Sequence, residues 1–570
     1  MRRFLSAIVL TAILFSGLPS AGKFSFAQAP RKSSAKAAPV SLASQRGVDS
    51  INAAELKDYL SFIASDEMEG RDTPSRGLDT TAKFLAMNLS RWGFKPAGDE
   101  GSYLQKIALR RDYLEKAETK VQLNGQTLIL GEDYIPFSRT ANVTAPLVFA
   151  GSGWLVKSKN IDGYKGIDAK GKIAIVVAPP DGLPRGISRM DLTGKRGEDY
   201  MTAGDYAVKQ GAAGVVFIPD FQYLANWDRN RARLTERGVT RVEKFQTSPG
   251  ALISANPALN SALLPQIVAS PRLANALFQG EKQNAVAIFD AIYSGKTPDS
   301  FELSPEKQLT ITVKTKSEFL STQNVVAVFE GSDPVLKDEY VAVGAHYDHV
   351  GVGVPVNGDA IYNGADDDGS GTTALLAMAE ALAKAPRRPK RSVLFVWHAG
   401  EEKGLWGSRY FSENPTIPLN KIVTQINIDM IGRSKKEGDA NTRNANLSGP
   451  NEVYVIGSKM MSTELGELTE KVNKDYLNLA FNYRYDDPTD PNRFFFRSDH
   501  YNYAKKGIPI VFFFDGEHED YHRPGDEVQK IDFQKMEKIT RTVYMLLWEV
   551  ASLAVRPQVD KQLPVLLAGD

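Results

Sequence analysis

From Leu309 to the C-terminal region, short runs of β-branched and aromatic residues alternate with stretches of helical periodicity. The runs include Leu309–Val313, Asn324–Phe329, Tyr340–Gly344, Ser392–Trp397 and Ile508–Phe514. Such alternation predicts an α/β fold, a mixed, largely parallel sheet flanked by helices. Strands buried on both faces read as near-continuous apolar runs, as these do. The same architecture says where chemistry gathers, because functional side chains collect at the carboxyl ends of the strands.

Five clusters of His and acidic residues follow or adjoin these strands. The first is Ala345-His346-Tyr347-Asp348-His349. Here His346 is a candidate metal ligand, and Asp348 a candidate acceptor for its other ring N–H. The second is Asn363-Gly364-Ala365-Asp366-Asp367-Asp368-Gly369. Three adjacent carboxylates repel one another unless a cation or solvent relieves them. They also precede a predicted helix over 372–384, so plain capping is a competing reading. The third, His398-Ala399-Gly400-Glu401-Glu402, offers one carboxylate for a metal and one for proton transfer. The fourth ends in Asp429 and the fifth is Tyr521-His522-Arg523-Pro524-Gly525-Asp526. One residue from each gives His346, Asp367, Glu402, Asp429 and His522. Two imidazoles and three carboxylates form an all-N/O set suited to a pair of divalent ions, with zinc preferred.

Composition agrees with that donor set. The 570 residues include no cysteine, which excludes disulfide scaffolds, zinc ribbons, iron–sulfur clusters and cysteine nucleophiles. The 69 basic and 68 acidic side chains leave a net charge of +1, which gives no global reason to expect nucleic acid. Arg2 and Arg3 precede an apolar run from Phe4 to Leu18, and Ala27-Gln28-Ala29 fits a cleavage site. Residues 1–29 therefore read as a signal peptide and 30–48 as a linker, giving an exported protein without a stable membrane anchor. Residues 139–295 have short strands separated by Gly and Pro turns and read as a separate, smaller α/β unit. The catalytic domain is then discontinuous, 49–138 and 296–556, with a tail over 557–570. The Arg-rich stretch Arg229–Arg241 and the group at 387–391 read as solvated. His349, His398 and His518 read as structural or surface residues.

The clusters, in this order, resemble the M28 family of di-zinc peptidases. The matching stretches are AHYDH at 345–349, NGADDDGSG at 363–371, HAGEEKGLWGS at 398–408, INIDM at 426–430, RSDH at 497–500 and YHRPGDE at 521–527. LSFIASDEMEGRDTPSRG over 60–77 extends the resemblance, and 139–295 is similar to a protease-associated (PA) domain. The resemblance implies a zinc-exopeptidase-like fold and a metallo-aminopeptidase holding two Zn²⁺ per chain and acting on peptides. It implies that Asp367 bridges, that His346 and His522 serve opposite ions, and that Glu402 and Asp429 complete one ion each. It implies Glu401 as general base, Asp348 as the residue orienting His346, and Tyr521 as a stabiliser of the tetrahedral intermediate. Asp499 and His500 match a family pattern and read as lying behind the ligands or on the substrate side. A carboxypeptidase or dipeptidase of the same fold is the close alternative, with Arg433 or Arg497 as the cation for a free carboxylate. A single-zinc glutaminyl cyclase and a non-catalytic receptor are opposed by retention of both His and all three acids.

Overall fold

The computed structural model describes residues 46–563, apart from 179–181, 185, 189–190, 248–263, 295 and 297. The expected signal peptide, nearly all of the linker and the end of the tail lie outside the described residues. Among the described residues, no helix is long and apolar enough to cross a membrane.

The main sheet is built around four parallel strands: β1 (Tyr340–His346), β2 (Ser392–His398), β3 (Ile422–Ile428) and β4 (Ile510–Phe514). Their spatial order is β2-β1-β3-β4. Outside them the pairing turns mixed: Thr315–Phe329 runs antiparallel to β2, and Glu452–Ile456 antiparallel to β4. The parallel character predicted from the sequence thus belongs to the centre of the sheet. Side chains alternate between two cores, as a period of two requires. Val341, Val343 and Ala345 of β1 and Val393, Phe395 and Trp397 of β2 enter one core. Ala342, Leu394 and Val396 enter the other. On the first face lie helix α1 (Gly369–Lys384) and helix α2 (Phe533–Ser552). Thirteen residues of α1 are buried, which is why its sequence is apolar nearly all round.

A second sheet runs in the order Gln126–Thr127, Lys120–Leu123, Gln308–Val313, Ala141–Phe149, Ile173–Val177, Gly214–Ile218, Gln266–Ala269, Tyr134–Pro136. It draws strands from before residue 139 and after residue 295, so this unit is wider than the sequence suggested. Its strands before residue 139 are short, and Leu309–Val313, read from the sequence as opening the run of strands, pairs into this sheet rather than the main one. The chain enters through Leu104–Leu114 and leaves through Thr315–Phe329, which pair antiparallel from Leu104↔Val325 to Leu114↔Thr315.

Two readings of charged segments are corrected. The stretch Arg229–Arg241 is not simply a solvated insertion. It forms helix Trp227–Thr235 and strand Val239–Val242, which pairs with Leu109–Asp112 at the edge of the main sheet. The Asp112 carboxylate accepts from Arg110 Nε at 2.8 Å, Ser317 Oγ at 2.7 Å and Arg241 Nη1 at 3.2 Å, fixing that edge. In the group at 387–391, Arg391 is buried and donates to Glu339 at 2.8 Å and to the Leu553 carbonyl.

Candidate metal centre

The loops that leave the carboxyl ends of β1, β2, β3 and β4 meet the N-terminus of α1. The aspartate triplet shows how backbone needs sort identical side chains into different tasks. Asp368 caps α1: its Oδ1 accepts from Gly371 N–H at 2.8 Å and Met430 N–H at 3.2 Å, and its Oδ2 from His346 N–H at 3.2 Å. Asp366 Oδ1 accepts from Gly432 N–H at 2.6 Å, and its Oδ2 lies 3.4 Å from His518 Nε2. The buried Asp526 carboxylate accepts from the N–H groups of Asp366 and Asp367. Both readings of the triplet are therefore present, on different residues: Asp368 caps, and Asp367 alone keeps its carboxylate for the cavity.

Asp367 joins two groups of side chains. Its Oδ1 is 3.2 Å from His346 Nε2, which is 3.6 Å from Asp429 Oδ1. Its Oδ2 is 3.2 Å from His522 Nε2, which is 3.0 Å from Glu402 Oε2. The atoms of His346, Asp367 and Asp429 fall within 4.8 Å of one another, and so do those of His349, Asp367 and Glu402. His346 Nε2, Asp367 Oδ2, Glu402 Oε1 and His522 Nε2 are buried atoms without a hydrogen-bond partner among the described residues. Orphaned polar atoms in such density are costly. Nitrogen and carboxylate donors converging around one shared carboxylate fit a pair of divalent ions.

Glu401 sits beside this centre, with Oε2 4.0 Å from His346 Nε2. Burial holds its carboxyl well above the usual range, and the neighbouring Glu402 and Asp429 add to the effect against the pull of His346. The cavity at the site is lined by His346, Asp367, Glu401 and Asp429 on one side and by Phe494, Phe512, Phe514 and Tyr521 on another. The Tyr521 ring stacks on His522 with centroids 4.0 Å apart, and its hydroxyl accepts from Arg497 Nη2 at 3.5 Å. Arg497 is also paired with Glu517 at 2.7 Å. Arg433 is buried, bonded to Asp520 at 3.0 Å and His518 at 3.3 Å, and is absent from the cavity lining.

Several roles differ from expectation. The Asp348 carboxylate lies 3.7 Å from His346 Nδ1, whereas the Asp348 backbone carbonyl lies 3.1 Å away and is the nearer acceptor. The carboxylate instead accepts from Glu401 N–H at 3.1 Å, so Asp348 braces both residues. His349, read as structural or surface, is fully buried with Nδ1 2.9 Å from Glu402 Oε1. Arg71 was visible only as part of a motif. Fully buried, it donates to the carbonyls of Tyr347 at 3.0 Å, Asn363 at 2.6 Å and Gly364 at 2.9 Å, tying together two of the loops. His398 is structural as read, held between Tyr503 Oη at 2.9 Å and Asp499 at 3.3 Å.

His500 stacks on Phe512 and bonds the Phe495 carbonyl at 2.8 Å, so it belongs to the core beneath the cavity. Burial lowers its pKa to about 4. The unfolded chain therefore binds a proton between pH 6.5 and 4 that the folded state refuses. This contribution to stability is present above pH 6.5 and is lost as pH falls to 4, by roughly 3 kcal/mol. Urea unfolding at pH 7 and pH 4.5 is expected to show a steeper loss for the wild type than for His500→Gln. Equal losses would contradict it.

Comparison with known proteins completes the site. The family model described as Peptidase family M28 matches residues 324–547, the segment holding β1 to β4 and the loops at their carboxyl ends. Residues 324–547 belong to peptidase family M28. The M28 segment contains all five candidate ligands, Glu401 and Tyr521. Probable leucine aminopeptidase 2 of Aspergillus oryzae is 34% identical over 203 residues, which span 35% of this chain and 34% of that protein. Leucine aminopeptidase 2 of Arthroderma otae is 29% identical over 219 residues, 38% of each chain. The match thus spans well under half the length of these curated relatives. A probable zinc metalloprotease of Pyrenophora teres f. teres is 27% identical over 418 residues, 65% of this chain and 78% of that one. Among solved structures, an aminopeptidase from Aneurinibacillus sp. strain AM-1 aligns over 92% of this chain and 98% of its own, with a TM-score of 0.50 and 16% identity. That likeness is one of fold, and it agrees with the mixed α/β architecture.

Proposed function

We propose that this protein is a metallo-aminopeptidase that removes N-terminal residues from peptides. The observation that carries the reading is Asp367, whose two oxygens each lie 3.2 Å from a different imidazole, His346 and His522. His346 and Asp429 would hold one ion, Glu402 and His522 the other, and Asp367 both. Two bound zinc ions supply Lewis acidity, which makes water acidic at neutral pH and polarises a carbonyl. Glu401 accepts the proton of the attacking water at its carboxylate and delivers it to the nitrogen of the departing amine. Its raised proton affinity suits a group that must both take and return a proton. Tyr521, steadied by Arg497, donates its hydroxyl to the oxygen on which charge develops. Asp348 keeps Glu401 and His346 in register by holding one backbone N–H and offering one carbonyl.

The cations near the cavity bear on the choice between aminopeptidase and carboxypeptidase, and Arg433 is not among the lining residues. Asp367, Glu401, Asp429 and Glu517 line it, against a single Arg497 that Glu517 already pairs. The arginine that lines the cavity among the described residues is thus already occupied, so a substrate carboxylate has no free guanidinium there. Phe494, Phe512 and Phe514 offer an apolar surface to the N-terminal side chain. The second sheet is read as a PA-type unit that limits which peptides reach the cavity.

Zinc-loaded protein is expected to cleave leucyl anilide faster than N-acetyl-leucyl anilide by roughly 100-fold or more in kcat/KM. Capping removes the free amine that the aminopeptidase reading requires of its substrate. Equal cleavage of the two anilides would sink the aminopeptidase reading.

A further inference from the structure

His349 has no assigned role, yet its socket is built with care. The backbone N–H donates to the Arg71 carbonyl at 3.2 Å. Gly364, at φ +57°, leaves room for the ring: a Cβ there would sit 2.4 Å from His349 Cγ. Arg71 also grips the Gly364 carbonyl at 2.9 Å, so one buried residue holds both walls, by its carbonyl on one side and its guanidinium on the other. The ring is fully buried, and neither nitrogen has a hydrogen-bond partner among the described residues that meets the full angular geometry. Glu402 Oε1 is likewise buried and otherwise without a partner. These two orphans, a ring nitrogen and a carboxylate oxygen, stand 2.9 Å apart. Each is expensive to bury alone, and each answers the other.

The opposite oxygen of Glu402 faces another way. Oε2 lies 3.0 Å from His522 Nε2, which is 3.2 Å from Asp367 Oδ2. His349 Nδ1 stands farther from that oxygen of Asp367, at 3.7 Å. Oε2, Oδ2 and His522 Nε2 meet within 3.2 Å contacts, while Oε1 meets His349 Nδ1.

We propose that His349 is a positioning residue: its Nδ1–H holds Glu402 Oε1, so that Oε2 is presented to the ion shared with His522 and Asp367. The proposal rests on the reading of Glu402 as a ligand. It makes the H-x-D-H sequence a two-ended device. His346 ligates on one side of Asp367, and His349 aims a ligand on the other.

The test is Co²⁺ titration of the whole protein by competition with a chromogenic chelator, together with the visible spectrum of the fully loaded form. His349→Ala is expected to weaken one of the two ions by about 10–100-fold and to leave the other unchanged. Its spectrum at saturation keeps the wild-type envelope, because no ligand is lost. His349→Asn, which keeps an N–H donor in the socket, is expected to recover at least part of that affinity. If His349→Ala does not fold, His349→Asn carries the test against His349→Phe, which keeps the bulk without the donor. Wild-type affinity for both ions in the variants lacking the donor would overturn the proposal. So would a saturated spectrum showing one imidazole fewer, since His349 would then be a ligand. Wild-type protein that binds no Co²⁺ would instead defeat the metal-centre reading itself.

Discussion

Glu401→Gln is expected to lower kcat on a leucyl substrate by about 10²–10⁴-fold, with KM changed much less. The substitution keeps the size of the side chain and the backbone N–H that donates to Asp348 Oδ1 at 3.1 Å. It removes only the capacity to take up a proton at that atom. Glu401 is outside the converging donor set, so both ions should bind Glu401→Gln with wild-type affinity. The pattern that checks the role is therefore a split: intact metal content and near-normal KM with turnover nearly lost. A variant retaining most of its kcat would remove Glu401 from proton transfer. A variant that lost an ion would make Glu401 a ligand rather than a base.

The larger effect is expected from Asp367→Ala, which should abolish activity and weaken both ions at once. Asp367 is the one carboxylate in contact with both imidazoles of the centre. Burial alone would raise its pKa, but His349, His346 and His522 together hold it well below the usual carboxylate range. Its neighbours cannot replace it, because the Asp366 and Asp368 carboxylates are committed to the N–H groups of Gly432, Gly371, Met430 and His346. Ligand binding stabilises a fold by about 2.7 kcal/mol per site at a free concentration 100-fold above Kd. Zinc at that excess should stabilise the wild type against urea by roughly 5 kcal/mol over two sites. Asp367→Ala should gain little from the same zinc. A single-site loss, with half the gain retained, would mean that Asp367 serves one ion only.

The central strands were legible because they are buried on both faces and their apolar runs are uninterrupted. The predicted Tyr340–Gly344 and Ser392–Trp397 appear as Tyr340–His346 and Ser392–His398, each lengthened to include the histidine at its end. The five candidate ligands were legible because each follows such a strand or precedes α1. Division of labour within a cluster was harder to read, since it depends on distant backbone. Asp526 selects the conformation of Asp366 and Asp367 from about 160 positions away, and nothing in the local sequence says so. His349 was overlooked for the same reason: its partner Glu402 lies on another strand's loop. A signal was present, since His349 stands three residues after His346 at the same strand end. The second sheet was underestimated because Gln126–Thr127 and Lys120–Leu123 are short and wholly or partly exposed. The Arg-rich stretch misled because strand Val239–Val242 is made by edge pairing rather than by an apolar pattern of its own.

The central claim is that Asp367 joins two ion sites within one cavity. Metal-free protein titrated with zinc, with bound metal counted per chain, tests it most directly. The account predicts saturation at two ions for the wild type and for Glu401→Gln, and fewer than one for Asp367→Ala at the same free zinc. Saturation of the wild type at one ion, or an Asp367→Ala variant that still binds two, would contradict it.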